Sequence, residues 1–434
     1  MPASPSTARA MNDRLALQYL QEEGPLTAGQ LKTLTGLSRP TVADLVERLQ
    51  ASGLIAVVGE AGARRRGPNA RLYGIVADRA HLAALDVRTD SVRVGVADLL
   101  GSTLAEASLP VDGATGPGPG AWPPGAGGAE PAVERAVALL ERTVGEAGAA
   151  RLRHIVIGAP GLVDPATGAL RATSGTSAWH GRLVEALRER RTGVAGGGAG
   201  AGAGAGATVT VENETNLAAV AEQRAGAARD RDTFVFLWLG YGTGAAVVLD
   251  GQLRRGVSGG AGEIGFLPVP GTSGLPSATG CDGGFDSLVG GAALVELAEE
   301  HGVVARDAAP PENEEGGATE DAGGTATPPA AGLVRAALSA GAAGDAFLDV
   351  LADRVALGAA SVAAVLDPGC VVLGGEVGHA GGKALATRVE ERLLRLSPLR
   401  TEVRAGTLGG AAVLRGALLV ARDAAQDELF GPRE

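Results

Sequence analysis

Ser38, Arg39 and Thr41 stand together at the start of a helical stretch, Arg48 lies further along it, and Arg64, Arg65 and Arg66 follow as a run beside Gly67-Pro68. An arginine and hydroxyls at a helix N-terminus can reach base edges in a major groove. A basic loop tip suits phosphates or a narrow, electronegative minor groove. The two thiols, Cys281 and Cys370, are too few for a disulfide framework and fit a reducing cytoplasm. The chemistry legible first is nucleic-acid recognition. A small helical interaction domain with a solvated basic loop is the plainer alternative.

The elements around these residues read as three helices and a hairpin. Leu15, Tyr19 and Leu20 give the first helix an apolar face. Thr27 and Gln30 form a capping box for the second, whose Leu31 and Leu34 point to one side, and Gly36 supplies the turn. Ser38 caps the third, Pro40 fits its first turn, and Val42, Leu45, Val46 and Leu49 repeat at the spacing of a buried stripe that Gly53 ends. Two strand-like runs, 54–58 and 71–76, carry the three arginines at their tip. The segment resembles a winged helix-turn-helix domain. Its charge agrees: residues 1–80 hold ten Arg/Lys against seven Asp/Glu, whereas the whole chain has a net charge of −11.

The 434 residues suffice for two or three domains, and 45% apolar with 20% charged residues excludes a wholly disordered chain. No basic-then-apolar leader pattern appears. The longest apolar stretch, 355–366, stops at Asp367-Pro368 and is too short to cross a bilayer. A cytoplasmic protein is expected. Glycine-rich sequence at 192–207 reads as linker, and Pro/Gly/Ala/Glu-rich sequence at 303–332 as a disordered insertion.

After residue 80 the pattern becomes strand-rich α/β. Strands at 81–87, 92–99 and 102–111 form a meander, followed by a helix near 133–144 and a buried strand at 154–157 entering Gly158-Ala159-Pro160-Gly161. A strand at 208–213 leads into a helix at 214–224. The meander recurs at 234–240 and 245–251, and a long helix, 346–366, and a strand, 370–375, close the core. Two copies of the same unit predict two related lobes facing a cleft.

The pieces APGLVDPATG (159–168), VENETNLAAVAE (211–222), LGYGTGAAVVLDGQLRRGVSGGAGEIG (239–265), LDPGCVVLGGEV (366–377) and TLGGAAVLRGALLVA (407–421) occur in this order. Together they resemble the ROK family (repressors, open reading frames and sugar kinases), and the prefixed winged helix matches its repressor branch. The resemblance implies a two-lobed actin-like (ribonuclease H-like) α/β fold with a sugar in the cleft. The implied domains are a DNA-binding head at 1–78, lobe I at 79–207, lobe II at 208–414, and a C-terminal helix at 415–434 returning to lobe I.

The resemblance also implies site residues. Asn213 matches the sugar-contacting asparagine, Glu263 the carboxylate of a GEIGH motif, Asp286 a sugar-binding glutamate position, and Gly161 lines the cleft. Trp179 resembles a tryptophan after the sugar loop, with a core role equally open. Asn213 has a competing use as the cap of the helix at Glu214.

Departures from the kinase pattern are specific. The lobe II phosphate turn, Gly240, Gly242, Thr243 and Gly244, is intact, but its lobe I counterpart reads Asp86-Val87-Arg88-Thr89-Asp90-Ser91, without glycine. The catalytic aspartate position holds Glu214, so no catalytic residue is assigned and Glu214 is counted among the implied sugar-binding residues. Phe266 replaces the zinc-ligating histidine and only Cys281 remains of the cysteine cluster; zinc and ATP are not expected. The expected protein is a non-enzymatic, sugar-responsive repressor, a homodimer or dimer of dimers on an inverted-repeat operator. An active sugar kinase with a DNA-binding head, and a constitutive regulator with a vestigial cleft, are the alternatives.

Overall fold

The computed structural model describes residues 5–61, 70–111, 130–171, 178–192, 206–278, 280–305 and 329–431. The chain begins with helix α1 (Pro5–Glu22), strand β1 (Leu26–Thr27), helices α2 (Ala28–Thr35) and α3 (Arg39–Ala51), and strands β2 (Ile55–Ala61) and β3 (Ala70–Ile75). The strands form one antiparallel sheet in the order β1-β3-β2. Local chemistry sets the helix boundaries. Thr27 Oγ1 accepts from Gln30 N at 3.2 Å while Gln30 Oε1 accepts from Thr27 N at 2.9 Å. Ser38 Oγ accepts from Thr41 N, and Val42, Leu45, Val46 and Leu49 are all buried. Two details differ from the sequence reading. The buried face of α1 is Ala16, Leu17 and Leu20 rather than Leu15, and Leu34 is 37% exposed because α2 buries only Leu31 against its neighbours.

The body opens with β4 (His81–Val87), β5 (Ser91–Asp98), β6 (Thr103–Pro110), α4 (Glu130–Glu146), β7 (Leu152–Ala159), β8 (Leu162–Val163), β9 (Leu170–Arg171), α5 (Ala178–Thr192), β10 (Thr208–Asn213) and α6 (Glu214–Ala225). It continues with β11 (Phe234–Leu239), β12 (Thr243–Leu249), β13 (Gln252–Arg254), α7 (Asp286–Val289), α8 (Gly291–Glu300), α9 (Pro329–Ala337), α10 (Ala342–Leu366), β14 (Cys370–Gly374), α11 (Gly375–Leu396), β15 (Glu402–Ala405) and α12 (Ala412–Phe430). Its two five-stranded sheets share one topology, β6-β5-β4-β7-β10 and β13-β12-β11-β14-β15. Each is an antiparallel meander whose first strand pairs in parallel with a fourth, and the fourth with a fifth. This is the two-lobed actin-like architecture.

Alternation along the strands fixes the layers. Leu82 and Ala84 share a core with Phe234, Phe236, Val372, α6 and α12, so these two helices lie between the sheets. Ala83, Leu85 and Val87 face outward onto α4 and α5. Val235, Leu237, Val371 and Leu373 face outward onto α8–α11. The inner core continues without a break into the head, joining Leu17 and Leu20 of α1 to Leu429 and Phe430 of α12.

Two boundaries are corrected. β10 belongs to the first sheet, paired in parallel with β7, so the lobe boundary at 207/208 cuts through a hydrogen-bonded ladder. The insertion does not extend to 332, because 329–337 is helix α9 with Ala330, Ala331 and Val334 buried against lobe II. Residues 306–328 and 193–205, where the remaining insertion and the linker fall, lie outside the described residues. Among those described, no helix is long and apolar enough to cross a membrane.

Candidate functional site

In the head, the N-terminus of α3 is open. Ser38 and Arg39 are exposed, Thr41 is half-buried, and Ser38 Oγ and Thr41 Oγ1 lie 2.8 Å apart. Arg39 has no partner among the described residues. Lys32 and Arg71, not singled out from sequence, are also exposed; as lone cations they left no pattern to find. Arg48 differs from its expected role. Its Nη2 contacts Asp13 Oδ1 at 2.6 Å and its Nη1 pairs with Asp44, so it ties α3 to α1. The Asp13 hydrogen bond raises the Arg48 pKa further. Arg64, Arg65 and Arg66 lie outside the described residues.

In the body, the expected sugar residues come from loops at strand ends. Gly161, in a left-handed conformation (φ 112°), leads into β8, and its carbonyl accepts from Asn213 Nδ2 at 3.1 Å. Asn213 Oδ1 caps α6, accepting from Thr215 N at 2.9 Å and Asn216 N at 3.2 Å. Asn213 therefore performs the capping role and also holds the Gly161 loop. Glu214 follows on the first turn of α6. Burial pushes its carboxyl up to about 8, and Oε2 has no hydrogen-bond partner. The charge of Glu263 adds to the rise at Glu214, and desolvation raises the Glu263 carboxyl itself. The 259–260 backbone packs against Leu162 and Val163, bringing the Glu263 loop to the Gly161 loop.

Asp286 sits apart from these residues, beside Gly242, Gly265 and Gly290 under the glycine turn of lobe II. Cys281 Sγ contacts its Oδ2 at 3.5 Å, and its buried Oδ1 has no partner. Trp179 is a core residue of lobe I, 1% exposed, against His180. Glu212 and Arg255 were missed by sequence reasoning. Buried Glu212 accepts from Asn213 N and Asn216 Nδ2, both at 2.9 Å, and from Arg255 Nε at 2.6 Å. Its place beside Asn213 was the available signal.

The turn after β4, facing the glycine turn of lobe II, is occupied by side chains of the protein itself. The turn after β4 closes with Arg88 N on Ser91 O at 2.9 Å. Arg88 then reaches across the lobes: Nε to Asp86 Oδ2 at 3.1 Å, Nη1 to Glu376 Oε1 at 3.1 Å, and Nη2 to Gly410 O at 3.2 Å. Asp86, above all, raises the guanidinium pKa still further, and burial raises that of Glu376. Glu376 covers the lobe II glycine turn so closely that a Cβ on Gly240 would collide with its Oε2. A carboxylate at that turn opposes a phosphate. A small cavity of about 10 Å³ lies nearby, between Gly374–Gly375 and Gly406–Gly409, lined also by Glu222 and His379.

The donor set does not fit a structural zinc: Phe266 supplies no ligand, and among the described residues no three His, Cys, Asp or Glu side chains come together around Cys281.

A model of the ROK family matches residues 128–424, and a model of the MarR family matches residues 12–66. No curated protein matches the chain. Among solved structures, the chain is similar to a ROK family transcriptional regulator described as a homologue of the Escherichia coli Mlc protein, with a TM-score of 0.70 at 18% identity over 98% of both chains. It is similar to a ROK hexokinase from Thermus thermophilus, with a TM-score of 0.57 at 25% identity over 80% of this chain and 99% of that one. It is also similar to a ROK family glucokinase from Streptomyces griseus in complex with glucose and AMPPNP, with a TM-score of 0.57 at 24% identity over 79% and 100%.

Proposed function

Because this chain belongs to the ROK family, we propose that it is a DNA-binding transcription regulator whose body senses a sugar or sugar derivative without phosphorylating it. The regulated genes would be those of carbohydrate uptake or catabolism, and the regulator a repressor in the cytoplasm. The observation that carries the reading is a winged head with the exposed N-terminus of α3 and a core continuous with the helix layer between the two lobes.

A sugar between the Gly161, Asn213 and Glu263 loops would meet groups suited to vicinal hydroxyls. Glu214, protonated at neutral pH, can donate as well as accept, and Glu263 can accept twice. Asp286 would extend the polar wall of lobe II. Arg39, Ser38 and Thr41 would meet bases, with Arg64, Arg65 and Arg66 following the wing. A twofold dimer would present two heads to an inverted repeat. Neither zinc nor ATP has a part in this reading.

One observation favours an active kinase: a carboxyl near neutral pKa, as at Glu214, suits a general base. Against it stands Arg88, whose guanidinium fills the phosphate side with a cross-lobe pair. The test of the regulator reading is retention of an inverted-repeat fragment from upstream of the protein's own gene, in a gel-shift titration over salt. Specific retention with steep salt dependence is expected. Retention equal to that of random DNA at moderate salt would overturn it.

A further inference from the structure

We infer that Arg88 is a built-in latch that joins the two lobes in place of a nucleotide and couples the cleft to the DNA-binding head through α12. This deepens the regulator reading, which it needs only for its biological use; the mechanical coupling stands or falls on the protein without DNA.

One guanidinium joins three points. Asp86 lies on lobe I, Glu376 on the first turn of α11 in lobe II, and Gly410 on the short turn that starts α12. Arg93 on β5 donates to the same Gly410 carbonyl at 2.9 Å, so that carbonyl is held from two lobe I strand ends. The turn itself is pinned from the other side, because buried Glu222 Oε1 accepts from Thr407 N at 2.8 Å and Leu408 N at 2.9 Å. His180 Nε2 holds the Arg88 carbonyl at 3.3 Å, fixing the origin of the side chain.

From Gly410 the structure leads directly to the head. α12 runs for 19 residues, a span of about 28 Å at the helical rise, buried along Val413, Leu414, Ala417 and Ala421. Its backbone at Gly416 lies so close to Leu217 O that no Cβ fits there, so it cannot slide without moving α6. At its far end Gln426 Nε2 donates to Gln21 Oε1 and to Leu99 O, both at 2.9 Å, Asp427 pairs with Arg14, and Phe430 joins the core of α1. A close-packed helix of this kind moves as a body. Opening the lobes must either break Arg88 from Glu376 or shift Gly410 and with it the seat of α1. The latch is a two-position contact at one end of a rod and the head is at the other.

Hydrogen exchange on the full chain without DNA tests this. Arg88→Ala should accelerate exchange of amides in 412–420 and in 10–22 by about tenfold or more, while β7 and β11 stay protected. Glu376→Gln, which keeps the shape and removes the charge, should act on the same two segments, and the double variant should add little to the larger single effect. Arg88→Lys, whose three donors sit on one nitrogen instead of being spread over a guanidinium fork, should fail to restore protection. Acceleration confined to 86–91 and 375–379, with α1 and α12 unchanged in Glu376→Gln, would overturn the coupling. Gel retention by wild type is scored separately, so loss of the regulator reading and loss of the latch are told apart.

Discussion

Asn213 Nδ2 donates to Gly161 O at 3.1 Å while its Oδ1 caps α6, so one side chain fixes the two loops that would receive a sugar. Asn213→Ala removes both functions and should destabilise the protein by about 1–2 kcal/mol. Asn213→Ser retains the cap and loses the Gly161 contact. Urea unfolding should show Ser recovering most of the loss, and a sugar panel read by thermal shift should show neither variant responding like wild type.

Arg39 and Arg48 separate recognition from scaffolding. Arg39→Ala should leave the unfolding midpoint unchanged and weaken DNA binding, lowering the salt slope by about 1 if the contact is to phosphate. Arg48→Ala should lower stability by about 1–3 kcal/mol, because Asp13 loses a partner in a half-buried site. Fluorescence anisotropy with a labelled duplex and urea titrations distinguish the two.

His180 makes stability fall in acid. Burial lowers its pKa to about 4, so between pH 6.5 and 4 the unfolded chain binds a proton that the folded chain refuses. Its contribution is complete above pH 6.5 and is lost as pH drops through that window. Wild type should lose stability there faster than His180→Gln, by up to about 1.4 kcal/mol per pH unit. Equal slopes in urea titrations at pH 7, 6 and 5 would contradict the buried, neutral imidazole.

Glu214 acts in the opposite direction. Its folded pKa of about 8 exceeds the ordinary 4.5, so the folded chain holds a proton that the unfolded one releases, and stability falls as pH rises through that range. Glu214→Gln should gain melting temperature over wild type progressively from pH 5 to pH 8 and level off beyond. A constant difference across this range would show the carboxyl ionising normally.

Much of this was legible in sequence because it is local. The meander at 81–111 and its repeat at 234–254 alternate strongly, and the Ser38 and Thr27 caps satisfy backbone donors three residues away. The loss of glycine at 86–91 was visible, but the destination of Arg88 was not: Glu376 lies 288 residues on and Gly410 322. For the same reason Arg48 read as a free cation although Asp13, 35 residues earlier, takes it up. β10 was assigned to the wrong lobe because a parallel edge strand carries no turn that names its partner. Residue type and spacing report local bonds; the cross-lobe contacts are set by packing.

A cleft that binds a sugar without phosphorylating it is the central claim. A coupled ADP-release assay with the full chain, millimolar ATP and a panel of hexoses and N-acetylhexosamines tests it most directly. No sugar-dependent ADP above the ATP-only background is expected, since Arg88 and Glu376 fill the phosphate side. Release near 1 per second with any sugar, as expected of a working kinase, would contradict it.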